Sequence, residues 1–419
     1  MSIQQNFPGF SPSLNLNFAR SKRLDPRVTF VRLTGATVTN ELGLLERVGN
    51  NIPRFEHKYD ASTGAVRSLG LLIEEQRENI LNQSVVTTSN WTGTTSNTTY
   101  SNLSLNALGI FPGVEVTSTT GAAWHRRTTG YNVPFVSGTQ YALTFYYREG
   151  TSGRARLQLR YNSQESYVQG PVDGSAWSVQ QSLGTVTNVT TTLLDGQSTY
   201  KTSYIFTPNF TGVADLGIGV GLEGSAGVTI IALGAQVEVG AFPTSYIPTT
   251  GLPTTRLADR ATIDGQNFSS WYNQIEGTYF ISTKIAHTPN PNVAMLFLVG
   301  NSAGARVSIE QTTSNTLTEI ITNSGSYFFQ PSGGGIVPAN EFRKTSLSYI
   351  STNGITTIGT ASNLSTLADT ASSIDVNKSM NILYLGRFTD TLYYLNGHIQ
   401  QFVYYPRKIS NNQLQQLTR

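Results

Sequence analysis

The sequence contains no cysteine. That absence excludes a disulfide framework, a thiolate metal site and a cysteine nucleophile, so the fold must hold by packing alone. Charge is sparse as well. Asp, Glu, Lys and Arg make up 13% of the 419 residues, and the net charge is only +3. The excess is not gathered into a basic stripe, which removes the electrostatic footprint of a nucleic-acid binder. No uninterrupted apolar run reaches the roughly 18 residues needed to cross a bilayer, so no membrane insertion is expected. The opening "MSIQQNFPGFSPSLNLNFARSKRL" lacks the basic stretch and apolar core of a secretory signal, which predicts synthesis in a cytosol without export by that route.

Catalytic signatures are equally scarce. The four histidines, His57, His125, His287 and His398, form no metal-seating spacing, and no phosphate-cradling glycine loop or nucleophile elbow occurs. Asp369, Asp375 and Asp390 could line a calcium loop, but their spacing matches no defined loop and reads better as solvated turns. The sequence predicts no metal, no cofactor and no enzyme activity. A paired-carboxylate glycan depolymerase is the weakest alternative, since neither an acid/base motif nor a β-helix repeat is present.

What is abundant is Thr, Ser, Asn, Gly, Tyr and Phe, a composition that favours short strands and tight turns. The class is all-β, in three regions. Residues 1–80 hold 18 of the 53 charged side chains. Their short alternating pieces, such as "RVTFVRL", are too short and too charged to enclose much core by themselves, so an extended arm and hairpins lying on another surface, either the next domain or another subunit, are expected. Residues 81–250 read as an antiparallel jelly roll, from alternating runs such as "QYALTFYYREG", "RARLQLRYN" and "GVTIIALGAQVEV". "FPTSYIPTTGLPTT", with its prolines, reads as a linker. Residues 251–419 read as a second sandwich ending in a short helix, with Ser410 as N-cap and Leu414 and Leu417 on one face. Between the first two regions, "RSLGLLIEEQRENIL" reads as a buried strand followed by a turn, with an ion pair from Arg77 to its neighbouring acids.

Aromatic side chains in a jelly roll can lie against sugar rings while Asn, Gln or Arg meet the hydroxyls. "AAWHRRTTGYN" groups Trp124, His125, Arg126 and Arg127, and "DGSAWSVQQ" places Trp177 and Asp173 in a loop. These six are the candidate glycan-binding residues. Core packing is the alternative reading for Trp91, Trp124, Trp177 and Trp271.

The segments "LNLNFARSKRLDPRVTFVR", "NIPRFEHKYDASTGAVRSLGLLIEEQRENIL", "ALGAQVEVGAFPTSYIPTTGLPTTRLADRATI" and "YLNGHIQQFVYYPRKISNNQLQQLT" resemble parts of a group of tailed-bacteriophage virion proteins. The resemblance implies an N-terminal attachment segment, a carbohydrate-binding-like jelly roll and a concanavalin A-like or laminin G-like sandwich. It also implies a virion location, other tail or capsid proteins as partners, a homo-oligomer such as a trimer, and host-surface polysaccharide as ligand. Arg20, Lys22, Arg23 and Arg27, in the first segment, become the assembly candidates. No heptad stalk or long glycine repeat is present, which favours a compact knob or plate over a long fibre. A purely structural decoration protein is the alternative role.

Overall fold

The computed structural model describes residues 9–91, 97–119, 133–221, 225–287, 293–301, 306–312, 317–323, 326–327, 341–352, 355–362, 366–372, 379–388 and 393–419. Within them the chain is almost entirely antiparallel β-structure organised around two large cores.

The first sandwich faces a five-stranded sheet against a six-stranded one. The five strands run in the order Val133–Phe135, Gly212–Gly219, Arg154–Tyr161, Gln164–Pro171 and Ser178–Gln181. The six-stranded sheet is centred on Tyr141–Glu149, between Thr199–Pro208 and Thr229–Val239. Strict period-2 alternation explains the packing. Ala155, Leu157 and Leu159 point inward from one sheet to meet Leu143, Phe145 and Tyr147 from the other. Trp91 is fully buried in this core, with its indole N–H donating to the Gln83 carbonyl at 3.1 Å.

The second sandwich pairs an eight-stranded sheet with a seven-stranded one. Its core includes Tyr279, Ile281, Phe297, Val299, Leu347, Phe402 and Trp271. The helix Asn411–Thr418 closes the chain; Ser410 and Gln413 form the expected capping box, and Leu414 is buried.

The N-terminal strands do lie on another surface, and for most of them that surface is the second sandwich of the same chain. Leu14–Asn17 pairs with Gly397–Tyr405, and Phe55–Asp60 and Ala65–Ile73 extend the same sheet. Thr29–Val31 adds a strand to the opposite sheet through Arg260–Asp264. Alternation again supplies the reason: Leu14, Leu16, Phe18, Val28, Phe30, Leu71 and Ile73 all enter its core. Residues 14–73 are thus not an arm standing clear of the sandwiches, as a separate attachment segment would be: Leu14–Asn17, Thr29–Val31, Phe55–Asp60 and Ala65–Ile73 are strands of the second, and the hairpin Ala36–Thr39/Leu45–Val48 packs on the first, where Leu45 N–H donates to the Leu108 carbonyl at 2.7 Å.

"GLLI" completes the long strand Ala65–Ile73, and the acids and Arg77 that follow make the crossing to the first sandwich. There Asn79 accepts from Val237 N at 3.1 Å and donates to the Ile247 carbonyl at 2.8 Å. The proline-rich stretch 242–255 is not a free linker. Tyr246, Ile247 and Thr249 are buried, and the Tyr246 hydroxyl meets Ser84 at 2.6 Å.

The crossing is locked by a buried charge network. Arg32 Nη1 lies 3.0 Å from Asp259, Arg54 bonds both Glu74 (2.8 Å) and Asp259, and Arg256 Nη1 lies 2.8 Å from Glu74. Ser245 donates to Glu74 from its backbone N–H (2.8 Å) and its hydroxyl (2.6 Å). Burial opposes ionisation of Glu74, but Arg256 and Arg54 outweigh it and hold the carboxyl well below the usual carboxylate range. N-terminal region, crossing and linker are joined here by charge pairs that water does not screen.

Candidate functional site

The outward face of the five-stranded sheet is where polar chemistry concentrates. On strand Arg154–Tyr161 the residues alternating with the core set are Arg154, Arg156, Gln158 and Arg160. The register places Gln169 and Gly219 beside Arg156, Tyr167 and Gly217 beside Gln158, and Glu165 and Asp215 beside Arg160. Glycines at 217 and 219 leave one flank of the two central rows without side chains, so these rows form the floor of a trough.

Arg156 organises the trough. Its Nε donates to Gln158 Oε1 at 2.9 Å, its Nη1 to Gln169 Oε1 at 3.2 Å and its Nη2 to Glu165 Oε2 at 2.6 Å. The guanidinium also lies 3.7 Å from the centroid of the Tyr167 ring, a cation–π contact. With three polar partners and an aromatic face, Arg156 is fixed in one orientation. Gln158 is fully buried, and its amide Nε2 donates to nothing among the described residues. A buried amide donor without a partner is costly. At the rim, Arg160, Glu165, Tyr167 and Asp215 are half-buried. Burial raises the Asp215 carboxyl above its ordinary value, against the pull of Arg160.

Two of the sequence-derived candidates stand at one end of this sheet. Trp177 directly precedes Ser178–Gln181, whose Ser178 pairs with Gln169. The indole is half-buried against the core, and its N–H donates to Thr191 Oγ1 at 2.9 Å. Asp173 is exposed; hydrogen bonds from Ser175, backbone first, lower its carboxyl pKa. Trp124, His125, Arg126 and Arg127 lie outside the described residues, as do Asp375 and Asp390, while Asp369 falls in strand Thr366–Ser372. Among the assembly candidates, Arg20 and Arg23 are exposed, Lys22 pairs with Glu41 at 2.7 Å, and Arg27 pairs with Asp25 at 2.8 Å. Among the described residues no group of three His, Asp or Glu side chains is arranged to hold a metal ion.

Arg156, Gln158, Tyr167 and Gln169 are absent from the sequence-derived candidates. A signal for them existed in "RARLQLRY", where Arg, Arg, Gln and Arg recur at every second position. Alternation alone reads such residues as an ordinary solvated face, and their burial is set by neighbours distant in sequence.

No family model matches the chain, and no curated protein matches it. Solved structures similar in part include the Ruminococcus gnavus IT-sialidase CBM40 bound to α2,3-sialyllactose. It shows 16% identity over 36% of this chain and 88% of that one, with a TM-score of 0.31. Mouse laminin α1 chain domains LG4-5 show 7% identity over 80% and 88%, with a TM-score of 0.23. Trypanosoma rangeli sialidase shows 8% identity over 74% and 67%, with a TM-score of 0.29. All these scores lie below 0.5, so the sandwich assignment rests on the sheets described above.

Proposed function

We propose that this chain is a glycan-binding β-sandwich protein that recognises sugar through the outward trough of its first sandwich, without hydrolysing it. The observation that carries the reading is the half-buried rim of the trough, where Tyr167, Arg160, Glu165 and Asp215 share one sheet face and the buried Arg156–Gln158–Gln169 group beneath them holds Tyr167 and Glu165 in place. Sugar hydroxyls pair with a rim guanidinium such as Arg160 and with the Glu165 and Asp215 carboxyls, and ring C–H faces pack on tyrosine. A few hydrogen bonds and one aromatic face support affinities on the order of millimolar to micromolar, so useful adhesion requires several copies. The resemblance of four segments to tailed-phage virion proteins supplies the setting: a surface component of the particle, oligomeric, meeting host polysaccharide.

The test is a glycan array probed with the chain as an oligomer, repeated with Tyr167→Ala and Arg160→Ala. Binding that falls at least tenfold in both variants, with an unchanged melting temperature, supports the reading. A wild-type chain that binds no glycan overturns it. A second reading, a structural decoration with no receptor role, is favoured by one feature: Arg156 and the Trp177 indole already spend their donors inside the protein.

A further inference from the structure

Where the two sandwiches meet, a cleft of about 500 Å³ opens, lined among others by Glu75, Arg77, Gln140, Phe242, Tyr393 and Asn396. Its volume falls within the roughly 300–1,000 Å³ usual for small-molecule sites, and domain boundaries are where such sites gather. Both sandwiches build it. Gln140 comes from the first, Tyr393 and Asn396 come from the second, and Glu75 and Arg77 lie on the crossing between them.

The walls are held firmly. Arg77 Nη2 meets Glu75 Oε1 at 2.8 Å, its Nη1 donates to the Val239 carbonyl, and its guanidinium lies 4.3 Å from the Phe242 ring centroid. Asn396 and Glu75 exchange two hydrogen bonds, Glu75 N to Oδ1 at 2.8 Å and Nδ2 to Glu75 Oε2 at 2.9 Å. One donor is left over: Arg77 Nε is buried and has no acceptor among the described residues. One wall is strained. Tyr393 adopts φ of +58°, a left-handed conformation that a bulky residue avoids, and such outliers cluster at ligand sites.

We propose that this cleft is a second ligand site, for one neutral sugar ring or a polyol of similar size. Charge balance selects the class. The single guanidinium is already matched by the Glu75 carboxylate, and the other titratable lining group, His287, lies stacked on the Phe242 ring, so at a pH where that imidazole is neutral a charged ligand would enter without a counter-ion and bear its desolvation cost unpaid. A hydroxylated neutral ligand fits the remaining groups: its oxygens accept from the exposed Gln140 amide, its hydroxyls donate to the one-third-exposed Glu75 carboxylate, and its C–H face meets Tyr393. The site shares no residue with the sheet trough and stands or falls apart from it.

The experiment uses the full chain and saturation-transfer NMR with methyl glucoside, methyl galactoside, methyl mannoside and methyl glucuronide. At least one neutral glycoside is expected to bind in the millimolar range, with the glucuronide at least tenfold weaker. Val239, half exposed at the lip, tolerates enlargement, and Val239→Trp should reduce binding tenfold or more by filling the cleft. Tyr393→Asn should also weaken binding while the melting temperature holds or rises, because Asn tolerates the left-handed backbone. Tyr167→Ala should leave this binding unchanged. Absence of binding by every neutral glycoside, binding that survives Val239→Trp, or preference for the glucuronide overturns the proposal.

Discussion

Arg54 and Asp259 stand 205 residues apart in sequence and form an ion pair in which neither side chain is exposed to solvent. Asp259 also receives Arg32, and Arg54 also holds Glu74, which accepts from Ser245, so two carboxylates organise contacts from the N-terminal region, the crossing and the linker. Such a pair contributes little net stability relative to a well-packed apolar substitute, but removing one member leaves the other charged and unpaired.

Asp259→Ala is therefore expected to cost about 3–5 kcal/mol. Urea unfolding at neutral pH measures it. A loss under 1 kcal/mol would show that water reaches Arg32 and Arg54 in the variant and that the network is not dry.

Deleting residues 1–60 removes Leu14, Leu16, Phe18, Val28 and Phe30 from the second core, along with Arg32 and Arg54. At about 1.5–3 kcal/mol for each buried apolar side chain, the loss matches the whole stability of an ordinary domain. The truncated chain should keep the first sandwich and lose the second. Calorimetry should show one unfolding transition missing, and limited proteolysis should cut within residues 260–405. Two intact transitions would mean that the N-terminal strands are dispensable additions.

Much of this architecture is legible in the sequence and part is not, for physical reasons. Alternation along "RARLQLRY" and "QYALTFYYREG" marks strands because a half-buried strand repeats every two residues. The capped helix at 411–418 follows from Ser410 and Leu414 in the same local way. Pairing of Leu14 with Tyr404 is carried by no local pattern, since a strand does not encode its partner's position. That is why the N-terminal strands read as hairpins on an unspecified surface. The trough was hidden for the same reason: Arg156 and Gln158 look like a wet face until Gln169, Glu165 and Tyr167 are brought beside them.

Two carboxyls make the pH dependence bend in opposite directions. Glu74 has a depressed pKa in the folded state, so its contribution is present above about pH 4.5 and is lost on acidification below it. Glu310 is pushed by burial up to about 7, against the pull of Arg306, so the fold favours its neutral form. Its contribution is present below about pH 4.5 and is lost as pH rises through about 7, a difference of about 3 kcal/mol. The melting temperature should peak near pH 5 and decline toward pH 8, and Glu310→Gln should flatten that decline. An unchanged slope in the variant would place the titrating group elsewhere.

Trp177 offers the sharpest separation between packing and recognition. Its indole N–H donates to Thr191, whose hydroxyl meets that of Thr202 at 2.9 Å; Thr202 meets the Tyr147 hydroxyl at 2.7 Å, and Tyr147 donates to the Val172 carbonyl at 2.9 Å. This relay ties both ends of the loop 172–177 to the six-stranded sheet. Trp177→Ala removes half-buried packing and the end of the relay, and is expected to cost about 2–4 kcal/mol, somewhat below the range for a fully buried tryptophan. Trp177→Phe keeps most of the packing and loses one hydrogen bond, about 1 kcal/mol. Urea unfolding of both variants gives the stabilities, and array binding well below the unfolding midpoint gives recognition. If Trp177 acts only by packing, the Phe variant binds as the wild type does, and the Ala variant recovers binding wherever it is folded. Tenfold weaker binding by a fully folded Ala variant would instead place the indole in contact with sugar.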